Sequence, residues 1–221
     1  MSGSFDTVFS GGIVVTPSGR EEADIGVIDG RIAAIGALSG AVATETIDCR
    51  GLHVLPGVID SQVHFREPGL EHKEDLESGA RAAVLGGVTG VFEMPNTAPN
   101  TTTAETLADK VRRGTGRMSC DFAFWVGATA ENIDALPALE RLPGSAGIKI
   151  FMGSSTGTLL VEDDATLDKV MRAISRRCAV HAEDEPRLRD RKGLRVEGDP
   201  TSHPVWRDPE AALMATRRLV G

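Results

Sequence analysis

The chain has 221 residues, of which 41% are hydrophobic and 25% are charged, a composition typical of a folded globular protein. Its formal net charge of -8 argues against a nucleic-acid-binding surface, which needs clustered lysine and arginine. No basic segment followed by an apolar core opens the sequence, and no apolar run approaches the roughly 20 residues of a membrane helix.

The chain contains three cysteines, Cys49, Cys120 and Cys178, which are odd in number and widely spaced. This usage suits a reducing compartment better than a disulfide framework. The sequence therefore predicts a cytoplasmic protein with neither nucleic acid nor membrane among its partners.

Residues 1–55 carry short β-forming segments separated by turn signals. The turns are Pro17-Ser18-Gly19 and the hairpin dipeptide Asp29-Gly30. The segments lie at 7–15, 23–28, 31–35, 44–49 and 52–55. This pattern predicts a small antiparallel sheet module without obvious chemistry.

The stretch 54–69 reads V-L-P-G-V-I-D-S-Q-V-H-F-R-E-P-G and is the most informative part of the chain. Its apolar start predicts a buried strand entered through a turn. The strand ends in a cluster of polar groups, which are Asp60, His64, Arg66 and Glu67. Polar groups are not expected inside a parallel strand that is buried on both faces. At the point where the strand runs into a loop, however, they can face a ligand together. A surface turn with incidental charges is the alternative.

From residue 56 onward, strand and helix patterns alternate. Helices are predicted at 74–85, 103–113, 133–140, 167–176 and 209–219, and further strands at 88–94, 120–126, 147–151 and 178–181. Five βα units without a hairpin predict a parallel sheet. No G-x-G-x-x-G follows the first strand, and polar residues stand at the strand ends instead, which favours a (β/α)8 TIM barrel over a dinucleotide-binding fold. Five strands leave such a barrel incomplete, because closure needs eight.

His64, Lys149 and His181 fall at the same predicted mouth of the barrel. A single histidine is more often structural, but two of them with a strand-end lysine between them favour a metal site. Lys149 lies in the apolar segment G-I-K-I-F, so its amine must be paired, deprotonated or modified. Reaction with CO₂ would give a carbamate, an anionic oxygen ligand, while a paired structural lysine is the alternative.

Three further strand-end features suggest roles in a site. Asn96, in M-P-N-T-A-P, follows the second strand and could hold a carboxylate together with Arg66, or serve only as a turn residue. Glu183 or Asp184 could orient His181 or cap the next helix, and capping is the simpler interpretation for Asp184. The segment 153–157 could form a flap or an anion-binding nest.

Four segments together resemble the cyclic amidohydrolases, and most closely the dihydroorotases. They are F-R-E-P-G at 65–69, M-P-N-T at 94–97, G-I-K-I-F at 147–151 and H-A-E-D at 181–184. The resemblance implies that residues 1–55 form part of a β-sandwich and residues 56–221 the N-terminal portion of a metal-dependent (β/α)8 barrel. It also implies His64, carboxylated Lys149 and His181 as zinc ligands, with Arg66 and Asn96 binding the substrate's carboxylate.

The implied reaction is the zinc-dependent, reversible cyclisation of N-carbamoyl-L-aspartate to dihydroorotate in pyrimidine biosynthesis. One departure from the family pattern is Gln62, which stands where the family has the first histidine of His-x-His. An amide is a poor zinc ligand compared with imidazole, so one zinc is expected more readily than two. The family's sixth-strand histidine and its proton-shuttle aspartate have no counterpart before Gly221. This chain is therefore expected to be the N-terminal half of the protein and inactive alone.

Two other functions stay open at this point. One is a related ring amidohydrolase, such as an allantoinase or a dihydropyrimidinase. The other is a catalytically impaired dihydroorotase-like scaffold for aspartate carbamoyltransferase, suggested by Gln62. A small-molecule substrate and a homo-oligomeric state are expected for the enzyme.

Overall fold

The computed structural model describes residues 4–154 and 159–221, and it divides into two compact units, Met1–Gly57 and Val58–Gly221. Of the segment predicted as a flap or nest, residues 155–157 lie outside the described part of the chain. None of the helices in that part is long and apolar enough to cross a membrane.

The first unit is a five-stranded mixed sheet with the order β3-β2-β1-β4, in which β5 also pairs with β1. Its strands are β1 (Phe5–Thr16), β2 (Gly19–Ile28), β3 (Arg31–Gly36), β4 (Ala43–Asp48) and β5 (His53–Val54). The register shifts at Gly11, where a φ of 73° marks a bulge that the Gly-Gly dipeptide permits.

The prediction of a purely antiparallel module is wrong. β1 pairs antiparallel with β2, but it pairs parallel with both β4 and β5. The reason is the path of the chain after β3, which returns to the start of β1, where the Phe5 amide donates to the Val42 carbonyl at 2.8 Å. β4 therefore begins beside the start of β1 and runs in the same direction.

The second unit is a half-barrel of five parallel strands in the order β10-β9-β8-β7-β6, and the predicted partial TIM barrel is confirmed. Its strands are β6 (Val58–Val63), β7 (Val88–Glu93), β8 (Asp121–Gly127), β9 (Ser145–Phe151) and β10 (Cys178–His181). The α-helices are α1 (Leu76–Leu85), α2 (Ala104–Gly114), α3 (Leu136–Leu139), α4 (Asp164–Ala173), α5 (Glu185–Arg191), α6 (His203–Trp206) and α7 (Pro209–Val220). Short 3-10 turns lie at Ile133–Ala135, Lys192–Leu194 and Pro200–Ser202.

The first barrel strand begins later than the sequence pattern predicts. Val54 belongs to β5 in the first sheet, and β6 starts only at Val58, after Pro56 and Gly57. The strand is also not buried, because Val58 is 55% and Ile59 60% exposed. Among the described residues β6 pairs only with β7, and this edge position explains the exposure.

The two faces of the half-barrel pack differently. On one face, strand residues such as Phe124, Ile148 and Ile150 pack against helix residues such as Leu107 and Leu167. The other face carries a separate cluster that includes Met94, Trp125 and Ala146 and contains no helix residue. Because side chains alternate along a strand, Lys149 and His181 lie on this helix-free face.

Candidate active site

The carboxyl ends of β6, β9 and β10 carry the three residues predicted to bind metal. His64 directly follows β6, Lys149 lies two positions before the end of β9, and His181 is the last residue of β10. Ala179 pairs with Lys149 across the two strands, and His181 pairs with Phe151. Because the strands are parallel, these side chains share one edge of the half-barrel.

Lys149 is 2% exposed, and its Nζ forms neither an ion pair nor a hydrogen bond with any described residue. Its ammonium group lies 5.0 Å from the centre of the Phe151 ring, which gives a cation–π contact. Burial lowers the pKa of Lys149 to about 8, which increases the fraction of neutral amine near neutral pH. The alternative of a lysine paired with a carboxylate is therefore not what the described residues show.

His64 lies close to the cations of the site. Burial lowers the pKa of His64 to about 4, and the positive charges of Arg66 and Lys149 add to this effect. The side chain of Asn96, which is 4% exposed, forms a hydrogen bond with the imidazole. The structure thus brings His64, Arg66, Asn96 and Lys149 together, as the positions of these residues at strand ends predict.

Arg66 has an unusual backbone and an unsatisfied guanidinium. Its φ of 67° is left-handed, which costs a residue with a Cβ roughly 1–2 kcal/mol. Its amide donates a hydrogen bond to the carboxylate of Glu93. The Nη1 atom is buried and finds no partner among the described residues. A buried donor of this kind is satisfied by an anionic ligand.

His181 is held by the residues that follow it. Its Nε2 lies 2.5 Å from Oε2 of Glu183, and both oxygens of Glu183 accept hydrogen bonds from the Arg207 guanidinium. Burial alone would raise the pKa of Glu183, but the hydrogen bonds from Arg207 and His181 outweigh it and lower the pKa. Asp184 caps α5 by accepting the Arg187 amide at 3.0 Å. Glu183 is thus the residue that contacts the imidazole, and the prediction that Asp184 caps the next helix is confirmed.

Two residues of the predicted polar cluster accept hydrogen bonds from other parts of the chain or from a nearby backbone amide. Glu67 is 4% exposed, and its carboxylate accepts from Arg117 at 2.8 Å and from the Leu76 amide at 3.1 Å. Asp60 is exposed on β6, where it accepts the Gln62 amide at 3.0 Å. Glu67 therefore anchors the loop to α1 and to the segment after α2, while His64 and Arg66 lie with Asn96 and Lys149.

Sequence reasoning missed the buried pair formed by Glu93 and Lys110. The Lys110 Nζ donates to the Glu93 carboxylate and to the Met94 carbonyl at 2.9 Å. Burial raises the pKa of Glu93 to about 7 and lowers the pKa of Lys110. The available signal was a charged residue within an apolar strand, V-F-E-M, and a lysine three positions after Leu107 on the apolar side of α2.

The residues at the strand ends can be tested for their fit to a metal ion. Within residues 4–154 and 159–221, no group of three or more His, Cys, Asp and Glu side chains is arranged to hold one. The imidazoles of His64 and His181 therefore need an additional anionic donor, and a carbamate on the unpaired Lys149 supplies one. Nitrogen and oxygen ligands of this kind suit zinc. The donor set fits zinc when Lys149 is carboxylated.

The half-barrel carries histidine, lysine and histidine at the carboxyl ends of its strands, which is where (β/α)8-barrel enzymes carry their active sites. A model of the dihydro-orotase-like family matches residues 51–153. An allantoinase from Deinococcus radiodurans is 40% identical over 185 residues, which is 81% of this chain and 41% of the relative. A dihydroorotase from Halobacterium salinarum is 38% identical over 198 residues, 87% of this chain and 45% of the relative.

Solved structures lead to the same family. An L-hydantoinase (dihydropyrimidinase) from Arthrobacter aurescens superposes with a TM-score of 0.89 at 29% identity, over 97% of this chain and 49% of that protein. The chain belongs to the cyclic amidohydrolase family of allantoinases, dihydroorotases and hydantoinases, and it spans about half the length of the relatives it matches.

Proposed function

We propose that the full-length protein containing this chain is a zinc-dependent dihydroorotase, which interconverts N-carbamoyl-L-aspartate and dihydroorotate. The observation that carries the proposal is the buried Nη1 of Arg66, which has no partner among the described residues. It belongs to the same group of residues as His64 and Asn96. A ring substrate that bears a carboxylate satisfies this donor, whereas an uncharged ring leaves it unpaired.

Arg66 and Asn96 bind the substrate's carboxylate in this proposal. The guanidinium offers two parallel N–H groups in a fixed plane, which match the two oxygens of a carboxylate. The amide of Asn96 has N–H donors of its own. The left-handed backbone of Arg66, held by Glu93, sets the direction from which the guanidinium approaches the ligand.

His64, carboxylated Lys149 and His181 hold the metal. Zinc, when bound, supplies Lewis-acid polarisation of the ring carbonyl and activation of water. In the hydrolytic direction the ring C–N bond breaks, the carbon gains a hydroxyl from water and the ring nitrogen gains a proton. The proposal assigns that proton transfer to an aspartate expected after Gly221.

A comparison of two substrates tests the role of Arg66. Dihydroorotate and 5,6-dihydrouracil differ only in the carboxylate, so their ratio of kcat/KM isolates its recognition. The wild-type full-length protein should prefer dihydroorotate. Arg66→Ala should lower kcat/KM for dihydroorotate by about 10- to 100-fold, the value of a hydrogen bond to a charged group, and should leave dihydrouracil turnover nearly unchanged. Undiminished turnover of dihydroorotate by Arg66→Ala would refute the assignment.

An allantoinase is the second candidate, because the allantoinases from Deinococcus radiodurans and Rubrobacter xylanophilus are 40% and 43% identical to this chain. Allantoin carries no carboxylate, so this function predicts that allantoin has the highest kcat/KM of the panel and that Arg66→Ala leaves it unchanged. A protein that turns over none of the three rings and co-purifies with aspartate carbamoyltransferase would instead support the scaffold function.

A further inference from the structure

Arg207 makes more contacts with the candidate site than its position in the sequence indicates. It lies between α6 and α7, and its guanidinium is 5.0 Å from the centre of the Trp206 ring. Its Nε donates to Oε1 of Glu183 at 3.0 Å, and its Nη2 donates to Oε2 of the same carboxylate. The Nη2 atom also donates to the Ser154 carbonyl at 2.6 Å. One side chain therefore connects the segment after β10 with the segment after β9.

The position of Glu183 between Arg207 and His181 determines the hydrogen on the imidazole. A carboxylate paired through both oxygens with a guanidinium has no hydrogen of its own and can only accept. The Nε2 of His181, 2.5 Å from Oε2, must therefore be the donor. In the neutral imidazole the Nδ1 atom then keeps its lone pair.

Ser154 is fixed from a second direction by Glu185, which is 6% exposed. The Ser154 amide and hydroxyl donate to the two oxygens of Glu185 at 2.5 and 2.6 Å. The Met152 amide donates to the His181 carbonyl at 3.0 Å. The segment 152–154, which follows the strand of Lys149, is thus attached to His181 both through the backbone and through Arg207.

We propose that Arg207 is a positioning residue, which acts through Glu183 to hold His181 in the Nε2–H tautomer and ties that imidazole to the segment that follows Lys149. The role of His181 toward a metal rests on the proposed function, whereas the tautomer and the orientation of the ring do not. Fixing the ring in this way leaves Nδ1 as the nitrogen that binds the metal.

A neighbouring ion pair provides a matched control. Arg187 donates to both oxygens of Asp208, the residue that follows Arg207, at 2.8 and 2.5 Å. Among the described residues, Arg187 makes no contact with His181. Arg187→Gln and Arg207→Gln each remove one two-pronged arginine–carboxylate pair from this region. A purely structural role predicts similar effects of the two substitutions, while a positioning role predicts different ones.

The first measurement is the tautomer of His181 in the metal-free, full-length protein. ¹⁵N shifts of the imidazole at about pH 8, where an ordinary histidine is neutral, distinguish the two ring nitrogens. Wild-type protein and Arg187→Gln should show hydrogen on Nε2. Arg207→Gln should show a mixture of tautomers, and Arg207→Lys an intermediate result. Hydrogen on Nδ1 in the wild-type protein overturns the proposal, even if no arginine variant folds.

The second measurement is zinc affinity, determined by competition with a chelator. Arg207→Gln should weaken zinc binding by about 10- to 100-fold, as is usual for the loss of a residue that orients a ligand. Arg187→Gln should weaken it less than about 3-fold at a similar loss of thermal stability. Equal weakening by both substitutions contradicts the proposal. If the wild-type protein binds no zinc, the proposed function fails, and the tautomer still decides the role of Arg207.

Discussion

Lys110, on α2, and Glu93, the last residue of β7, form an ion pair in which each side chain is only 1% exposed. The Glu93 carboxylate also accepts the amide of Arg66, so the pair supports the left-handed residue that carries the unsatisfied guanidinium. A charge buried in this way is costly unless it is paired, because the protein interior solvates ions poorly.

The first prediction concerns the stability of this pair. Lys110→Met leaves Glu93 as a buried carboxylate without a cation and should lower the free energy of unfolding by about 3–5 kcal/mol, measured by chemical denaturation. Lys169→Met, on the exposed side of α4, is the matched control and should change it by less than about 0.5 kcal/mol. Equal effects of the two substitutions would show that the pair contributes no stability.

The second prediction concerns Glu67 and acid stability. Burial raises the pKa of Glu67, but its hydrogen bonds from Arg117, the Leu76 amide and Arg113 lower the pKa below the ordinary value of 4.5. A folded-state pKa below the unfolded one gives stability that is present above the unfolded pKa and is lost as the pH falls through the folded one. The wild-type protein should therefore exceed Glu67→Gln in free energy of unfolding by a constant amount above about pH 5, and the difference should shrink toward about pH 3.

Unfolding curves at several pH values, recorded for both proteins, test this prediction. Glu77→Gln, on the exposed first turn of α1, serves as the control and should change the free energy of unfolding by less than about 0.5 kcal/mol. A difference between wild type and Glu67→Gln that grows as the pH falls would contradict the assignment of Glu67 as a paired carboxylate.

The third prediction is a carbamate on Lys149. The amine is buried and unpaired among the described residues, and burial lowers its pKa to about 8, so part of it is the neutral amine that reacts with CO₂. Full-length protein loaded with zinc in the presence of ¹³C-bicarbonate should show a carbamate carbon signal by ¹³C NMR. The signal should be absent from Lys149→Arg and should persist in the exposed control Lys169→Arg. Zinc-loaded wild-type protein without such a signal would rule the carbamate out.

The positions of the candidate site residues at the strand ends could be predicted, because strand and helix patterns are local features of the sequence. Alternating strand and helix patterns place His64, Lys149 and His181 at one edge of a parallel sheet, and the structure has them there. The parallel pairing of β4 with β1 was not predictable, because it depends on where the chain returns after β3 and not on the composition of either strand.

Hydrogen bonds and ion pairs between residues that are distant in the sequence could not be predicted either. The sequence pattern predicts that Glu67, beside Arg66, faces a ligand, but in the structure it pairs with Arg117, 50 residues later. The sequence predicts that Glu183 or Asp184 contacts His181 or caps a helix, but the partner of Glu183, Arg207, lies 24 residues further along. A pattern in one segment shows that a charged group needs a partner, and only the folded chain shows which one it has.

The last prediction concerns the number of zinc ions. Gln62 lies on β6, two residues before His64, and is exposed. Its amide is a poor zinc ligand, so the wild-type full-length protein should bind about one zinc per chain, and Gln62→His should raise this toward two. Ser61→His, one position away and outside the His-x-His spacing, should leave the number unchanged. Metal analysis of the three proteins decides the matter: two zinc ions in the wild-type protein, or no increase in Gln62→His, would show that residue 62 does not limit the metal content.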